Sequence, residues 1–508
     1  MSEFERPDFT PKPRPGNDSG IERGVAPACL GEPALPTVFQ RLTLALAALA
    51  IAAAPAIAAA PAKKPVAKAA AKPVPKAAPK PVAPPPLPDT PEIAELRRAF
   101  RFAFPIYEVM RARTLQLDRA EKAGVPNAVN MLLPKTTLVT AGDRDVTTPN
   151  NDTLYASAWL DLSGGPQILS IPGLPGRYHS AALMSLQTDN TAILGTRTGG
   201  NGGRYMIVGP GWKGDAPQGA ELVRSATNDA WLLVRVVVNG EKDVENAAKG
   251  LAGFTLNPAE GDAAPVPMLA AAPTPGGKTF LAVVNEALLR SIANPDLTAR
   301  AAEFAALGIG TTPSPEQEAL WAKWLPSLRA ELKAGLANAG EIVNGWSYPA
   351  MAIGDFGKDD DLRSYVALGG LAALPRIEAM YLTARTDKDG QPLSGAKSWR
   401  VKLPPRMPIG AFWSLTMYEQ TPDGRLFFVP NALDRYAIGD RSDHLRPERD
   451  GSYEIFVQNA MPQGERVVNW LPAPKGKFVL VFRAYLPREQ MLDGSFRLPP
   501  VEEGELIP

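Results

Sequence analysis

In the segment Leu154-Tyr155-Ala156-Ser157-Ala158-Trp159-Leu160, every second residue is Leu or Ala. An alternation with a period of two is typical of a β-strand, and Ser163-Gly164-Gly165-Pro166 marks the turn after it. Further short strands are predicted at residues 168–171, 178–186, 205–208 and 231–238. Short strands separated by Gly, Pro and Asn turns favour a β-sandwich or barrel.

Helical patterns flank this region. Thr90-Pro91-Glu92 is a helix start, and apolar residues follow at helical spacing until Pro105, which we expect to kink or end the helix. Residues 276–345 are again helical in pattern, with a second start at Ser314-Pro315-Glu316-Gln317. Strands return from residue 399, most clearly at 412–418, 426–429, 453–458 and 478–485. The chain is therefore predicted to be mainly β, with a helical insertion between two β domains.

Composition excludes several classes of protein. The 508 residues contain one Cys and two His, which argues against Cys/His zinc sites, iron–sulfur clusters and disulfide scaffolds. The formal net charge is +1, and no basic face is visible, so we expect no nucleic-acid partner.

The first part of the chain indicates export. Arg41 is followed by the uncharged, apolar residues 42–60, the pattern of a secretory signal with cleavage near Ala60; an uncleaved membrane anchor is the alternative. Residues 61–88 hold six Lys, ten Pro and no acid, which predicts an extended spacer. Its Lys side chains could contact the cell envelope, or the segment is a solvated linker. We predict a periplasmic or secreted protein.

Five segments follow from these patterns. They are an upstream extension with a signal peptide (1–60), a Pro/Ala/Lys-rich linker (61–88), an N-terminal β domain with leading helices (89–265), a helical connector (276–398) and a C-terminal β domain (399–508).

Two blocks of motifs carry a family resemblance. The first contains Asn150-Asn151-Asp152-Thr153-Leu154-Tyr155, Gly176-Arg177-Tyr178 and Val208-Gly209-Pro210-Gly211-Trp212; the second contains Phe412-Trp413-Ser414-Leu415-Thr416-Met417-Tyr418, Asn469-Trp470-Leu471-Pro472 and Arg483-Ala484-Tyr485-Leu486-Pro487. These blocks resemble the bacterial domain-of-unknown-function families 1254 and 1214, in that order. The resemblance implies two β domains of sandwich or jelly-roll type, and it implies no established reaction.

Polar residues in the loop before the first strand form a candidate metal site. Asp143, Asp145, Asn151 and Asp152 offer the hard oxygen ligands that suit Ca²⁺. The alternative is turn chemistry, because Asn and Asp bend loops by bonding to their own backbone. No other cofactor is expected.

A second candidate set combines aromatic and polar side chains within the family-like segments. Aromatic rings beside Arg and Asn can bind sugars or small polar ligands by stacking and hydrogen bonding, although Trp and Tyr on strands are more often core residues. The set is Asp152, Tyr155, Arg177, Trp413, Tyr418, Asn469, Trp470, Arg483 and Tyr485. The two histidines, His179 and His444, are interpreted as structural and solvated residues.

Three functions remain open. The first is an exported protein that binds a small polar or glycan-like ligand in a cleft of its β domains. The second is a carboxylate-dependent hydrolase or lyase, with or without Ca²⁺. The third is an envelope scaffold. The sequence leaves the oligomeric state open, including a homo-oligomer, and it names no catalytic residue.

Overall fold

The computed structural model describes residues 83–144, 147–259, 265–336, 340–422 and 424–506. Residues 81–508 form one compact unit. The predicted leader, most of the spacer and Asp145 lie outside the described residues. Helix and strand each account for 28%, so the fold is mixed α/β rather than mainly β. The strands form four open sheets, and jelly-roll connectivity stays a prediction.

The described residues contain seven α-helices. They are α1 (Pro91–Lys122), α2 (Val244–Ala252), α3 (Gly277–Arg290), α4 (Pro295–Ala302), α5 (Pro315–Gly335), α6 (Asp360–Gly369) and α7 (Glu489–Leu492). Both predicted helix starts are confirmed: Thr90 caps α1, and Ser314 and Gln317 form a capping box on α5. Within the described residues, no helix is long and apolar enough to cross a membrane.

The helix does not end at Pro105, which was one of the two predicted outcomes, because α1 continues to Lys122; a kink at Pro105 stays a prediction. Residues 99–110 are all buried, and this packing offsets the hydrogen bond that proline removes from the helix.

Two sheets come from the N-terminal half. Their strands are β1 (Leu133–Lys135), β2 (Thr153–Asp161), β3 (Gln167–Ile171), β4 (His179–Ser185), β5 (Asn190–Gly195), β6 (Gly203–Val208), β7 (Glu221–Arg224), β8 (Asp229–Val237) and β9 (Thr255–Pro258). The first sheet has the order β1-β2-β8-β4-β5 and the second β7-β6-β3-β9. Leu154, Ala156 and Ala158 of β2 share a core with Leu169 of β3 and Ile207 of β6, so these two sheets pack face to face.

The C-terminal half repeats this arrangement. Its strands are β10 (Gly340–Val343), β11 (Trp346–Pro349), β12 (Ala379–Ala384), β13 (Ser398–Leu403), β14 (Ile409–Gln420), β15 (Leu426–Phe427), β16 (Ala437–Gly439), β17 (Tyr453–Gln458), β18 (Trp470–Pro472), β19 (Phe478–Pro487) and β20 (Glu502–Gly504). The third sheet has the order β10-β11-β12-β19-β14-β15, with β16 on β14, and the fourth β18-β17-β13-β20. Strands β10, β11 and β12 lie where the sequence predicted a helical connector.

Side chains alternate between the two faces of each strand, and this alternation determines which residues face the third sheet. While Ala156 and Ala158 face the second sheet, Trp159 packs on Trp231 and joins the core built by α1, α3 and α5. Tyr155 lies on the same face as Trp159. Farther along that face, residues such as Ala182 and Val237 contact Phe412 and Tyr485 of the third sheet. The outer faces of the first and third sheets therefore meet.

Candidate functional site

A buried polar cluster lies where the first and third sheets meet. We call it the tyrosine–arginine cluster, and its members are Tyr155, Tyr178, Arg235, Tyr381, Arg483 and Tyr485. Strand pairing sets its geometry: Arg235 of β8 lies directly opposite Tyr155 of β2 on one side and Ser180 of β4 on the other. In the third sheet, Tyr381 of β12 lies opposite Arg483 of β19.

Arg235 is the feature of this cluster that packing does not explain. Its side chain is 5% exposed, and its guanidinium carbon lies 5.6 Å from the centre of the Tyr155 ring. The buried Nε and Nη1 have no hydrogen-bond partner, and no Asp or Glu of the described residues forms an ion pair with it. Because arginine stays protonated in proteins, Arg235 places an uncompensated positive charge between the sheets.

The tyrosines supply hydroxyl groups and aromatic walls. The Tyr485 hydroxyl accepts a hydrogen bond from Asn150 Nδ2 at 2.9 Å and lies 3.3 Å from the Tyr381 hydroxyl. The Tyr178 hydroxyl donates to the buried Glu378 at 2.6 Å. Burial raises the pKa of Tyr178, Tyr381 and Tyr485 above the ordinary value, so these phenols stay neutral at physiological pH.

Arg483 differs from Arg235 because the N–H groups of the Arg483 guanidinium donate hydrogen bonds to protein groups. It donates to Thr416 Oγ1 at 2.6 Å, to the Tyr418 hydroxyl at 2.5 Å and to the Pro149 carbonyl at 3.3 Å. Burial raises the pKa of Tyr418 to about 12, so the neutral phenol is the acceptor. These bonds fix the loop before β2 to the third sheet.

Asp152 lies at the edge of the cluster and is 6% exposed. Its carboxylate accepts a hydrogen bond from the Ser414 hydroxyl at 2.6 Å and lies 3.8 Å from Arg441 Nη2. The guanidinium of Arg441 in turn lies 3.5 Å from the centre of the Phe412 ring. Asp152 therefore ties the N-terminal half to β14.

Five of the nine predicted ligand-binding residues thus come together: Asp152, Tyr155, Tyr418, Arg483 and Tyr485. The other four lie elsewhere. Arg177 forms a two-pronged ion pair with Asp243, at 2.5 and 2.8 Å. Trp413 stacks on Phe482 inside the C-terminal core.

Asn469 and Trp470 also have local roles. The Asn469 amide donates to the carbonyls of Arg446 and Glu454, at 2.8 and 3.1 Å. The indole of Trp470 donates to the Gln458 carbonyl at 2.8 Å. Both side chains are buried and fasten the loops around β17.

Three of the four predicted metal-binding residues, Asp143, Asn151 and Asp152, lie in the described part of the chain, and each has different contacts. The carboxylate of Asp143 accepts hydrogen bonds from the Thr140 amide and hydroxyl and pairs with Lys135 at 3.3 Å. Asn151 Oδ1 is buried without a partner, and Asp145 is not described. No group of three or more His, Cys, Asp or Glu in the described part of the chain could hold a metal ion. The structure therefore shows Asp143 stabilising the turn that begins at Thr140.

The histidines lie outside the cluster. His179 is buried, its Nδ1 lies 3.0 Å from the Arg177 carbonyl, and its ring makes an edge contact with Phe254. His444 lies in a loop, where burial and the neighbouring Arg435 lower its pKa to about 4.

Sequence reasoning missed Arg235, Tyr178 and Tyr381. The sequence around Arg235 could have indicated a functional residue. Arg235 is the one charged residue in the apolar run Trp231-Leu232-Leu233-Val234-Arg235-Val236-Val237. A charge in a buried strand is costly unless it is paired. The two tyrosines carried no such signal, since Tyr is common on strands.

Comparison with known proteins confirms the family resemblance. Residues 129–258 match the family model of a protein of unknown function, DUF1254, and residues 378–489 match that of another, DUF1214. No curated protein matches the chain.

Two solved structures are similar. The VPA0106 protein from Vibrio parahaemolyticus is 23% identical, with a TM-score of 0.64, over 81% of this chain and 99% of that one. A putative uncharacterized protein from Burkholderia cenocepacia is 13% identical, with a TM-score of 0.41, over 82% and 91% of the two chains. The first similarity shows the fold alone.

Proposed function

We propose that this chain, which carries a family 1254 segment followed by a family 1214 segment, binds a small polar ligand between its first and third sheets. The tyrosine–arginine cluster is the binding site, and the two β halves, each a pair of packed sheets, supply one wall apiece. On the basis of the apolar residues 42–60, we place this activity in the periplasm or outside the cell.

The observation that carries the proposal is the unpartnered guanidinium of Arg235. A buried charge without a partner costs several kcal/mol, on the order of the total stability of a domain. The nearby Arg483 shows that this fold can satisfy a buried arginine with hydroxyl and carbonyl groups. We therefore interpret Arg235 as a ligand-binding residue, whose free donors can pair with a ligand, rather than as a core residue.

Access to solvent supports the same conclusion. Tyr155 and Tyr381 are only partly buried, whereas Tyr178 and Tyr485 on the inner side are fully buried. In this proposal, a ligand reaches Arg235 from the side of the partly exposed Tyr155 and Tyr381. Phenol rings and hydroxyls suit a ligand with both polar and apolar faces, a sugar derivative included.

The hydrolase alternative has less support. Three carboxylates lie around the site, and each has a partner; Asp440 accepts from the Trp413 amide at 3.2 Å. Asp152 accepts from Ser414, and Glu378 accepts from Tyr178 and from Arg197 Nε, at 2.6 and 2.7 Å. Neither is free to act as a general acid beside a free general base.

Native mass spectrometry of the full chain, purified without chelator, tests the proposal. We expect an additional mass that is lost on denaturation and that is absent from the Arg235→Gln variant. Arg113→Gln is the matched control, because Arg113 is 6% exposed and faces Asp229 and Asp161 away from the cluster. A bound mass that persists in Arg235→Gln would place the ligand elsewhere.

A further inference from the structure

The charges around the tyrosine–arginine cluster do not balance. Arg197 pairs with Glu378 at 2.7 Å. Asp152 attracts both Arg483 and Arg441, and Asp440 attracts Arg441 as well. Four guanidiniums, those of Arg197, Arg235, Arg441 and Arg483, therefore meet three carboxylates, and Arg235 has no carboxylate in contact.

The surrounding tyrosines do not supply the missing negative charge. Tyr178, Tyr381 and Tyr485 have raised pKa values, chiefly because burial disfavours the phenolate. They offer neutral hydroxyl groups and ring faces. One positive charge is left for the ligand to neutralise, in a place from which bulk water is largely excluded.

From this balance we infer that the ligand is a small organic acid with one carboxylate, which pairs with Arg235 while its carbon skeleton lies against Tyr155 and Tyr381. This inference rests on the proposed function and adds the ligand's chemical class. A guanidinium binds a planar carboxylate through paired N–H···O bonds. A phosphate monoester near its second ionisation would bring a further negative charge that no group here balances. A neutral sugar would leave Arg235 uncompensated.

Thermal unfolding of the full chain with matched probes tests the inference. Acetate, benzoate and glucuronate carry one carboxylate; benzamide and glucose are neutral counterparts; phenyl phosphate carries the larger charge. We expect at least one carboxylate to raise the Tm saturably, with no effect of its counterparts. Arg235→Gln should abolish the shift, and Arg235→Lys should weaken apparent affinity at least tenfold, because lysine keeps the charge and loses the planar fork. Arg113→Gln should respond like the wild type.

Each other outcome overturns the inference. A glucose or benzamide shift that depends on Arg235 refutes the carboxylate and leaves the proposed binding function standing. An equal shift with phenyl phosphate refutes the single charge. If no carboxylate gives an Arg235-dependent shift, the inference fails, and if native mass spectrometry also finds no bound mass, the proposed function fails with it. Ligand-free Tm values of both Arg235 variants show whether each is folded.

Discussion

For single residues, we predict that substitutions of Arg235 and Arg483 change the free energy of unfolding of the ligand-free protein in opposite directions. Methionine in place of Arg235 removes an uncompensated buried charge and keeps much of the side-chain volume. We therefore expect Arg235→Met to raise the free energy of unfolding by about 1–3 kcal/mol. Arg483→Met should lower it by about 2–4 kcal/mol, because Thr416, Tyr418 and the Pro149 carbonyl lose their partner. Urea unfolding after exhaustive dialysis measures both. Equal destabilisation by the two changes would make Arg235 a structural residue.

The candidate site could be predicted only in part, for a reason visible at single residues. The sequence predicts Asp152, Tyr155 and Tyr485 as site residues because polar and aromatic side chains recur in the family-like segments, and the structure brings these three together. The same pattern predicts Arg177 as a site residue, yet Asp243 holds Arg177 in a local ion pair. Which polar residue has a partner depends on contacts distant in sequence, such as Asp152 with Ser414, 262 positions away.

At the scale of elements, the start of α5 gives a test with a built-in control. The Ser314 hydroxyl accepts from the Gln317 amide at 3.3 Å, and the Gln317 side chain accepts from the Ser314 amide at 2.7 Å. We expect Ser314→Ala to lower the free energy of unfolding by about 1 kcal/mol and Ser314→Gly by only a few tenths, since glycine tolerates the cap position. Urea unfolding of both variants measures this order. A Ser314→Ala protein as stable as the wild type would show that the cap does not contribute.

Local sequence patterns predict the helix starts and the central residues of the strands, whereas they do not predict that α1 continues past Pro105. The cap at Thr90 is a local event, fixed by the Thr90 hydroxyl and the Ile93 amide. The outcome at Pro105 depends on tertiary packing, because Phe100, Phe104 and Tyr107 contact Phe280 of α3 or one another. Burial of these rings outweighs the cost of proline, and a local pattern does not contain that information.

At the scale of the whole molecule, the sequence predicted two β halves but not the surface that joins them. The outer faces of the first and third sheets carry Arg235, Tyr178, Arg483 and Tyr381, and the sequence singles out only Arg483 among them as a candidate ligand-binding residue. In the structure Arg235, Tyr178 and Arg483 are buried together with Glu378, and Tyr381 is partly buried beside them. Because the interface is polar, hydrophobic periodicity does not reveal it.

This interface predicts that the two halves unfold together. Glu378 of the C-terminal half accepts hydrogen bonds from Tyr178 and Arg197 of the N-terminal half. Separation of the halves would leave the Glu378 carboxylate without these two donors. We expect a single transition in calorimetry of the folded region. Glu378→Gln should lower the free energy of unfolding by about 2–3 kcal/mol, because Arg197 loses its charged partner. Glu331→Gln is the control, since its pair with Arg97 is about one-third exposed and should contribute about 1 kcal/mol or less. Two resolved transitions in the wild type would show that the halves unfold independently. Equal losses in the two variants would show that buried Glu378 contributes no more to stability than the partly exposed Glu331.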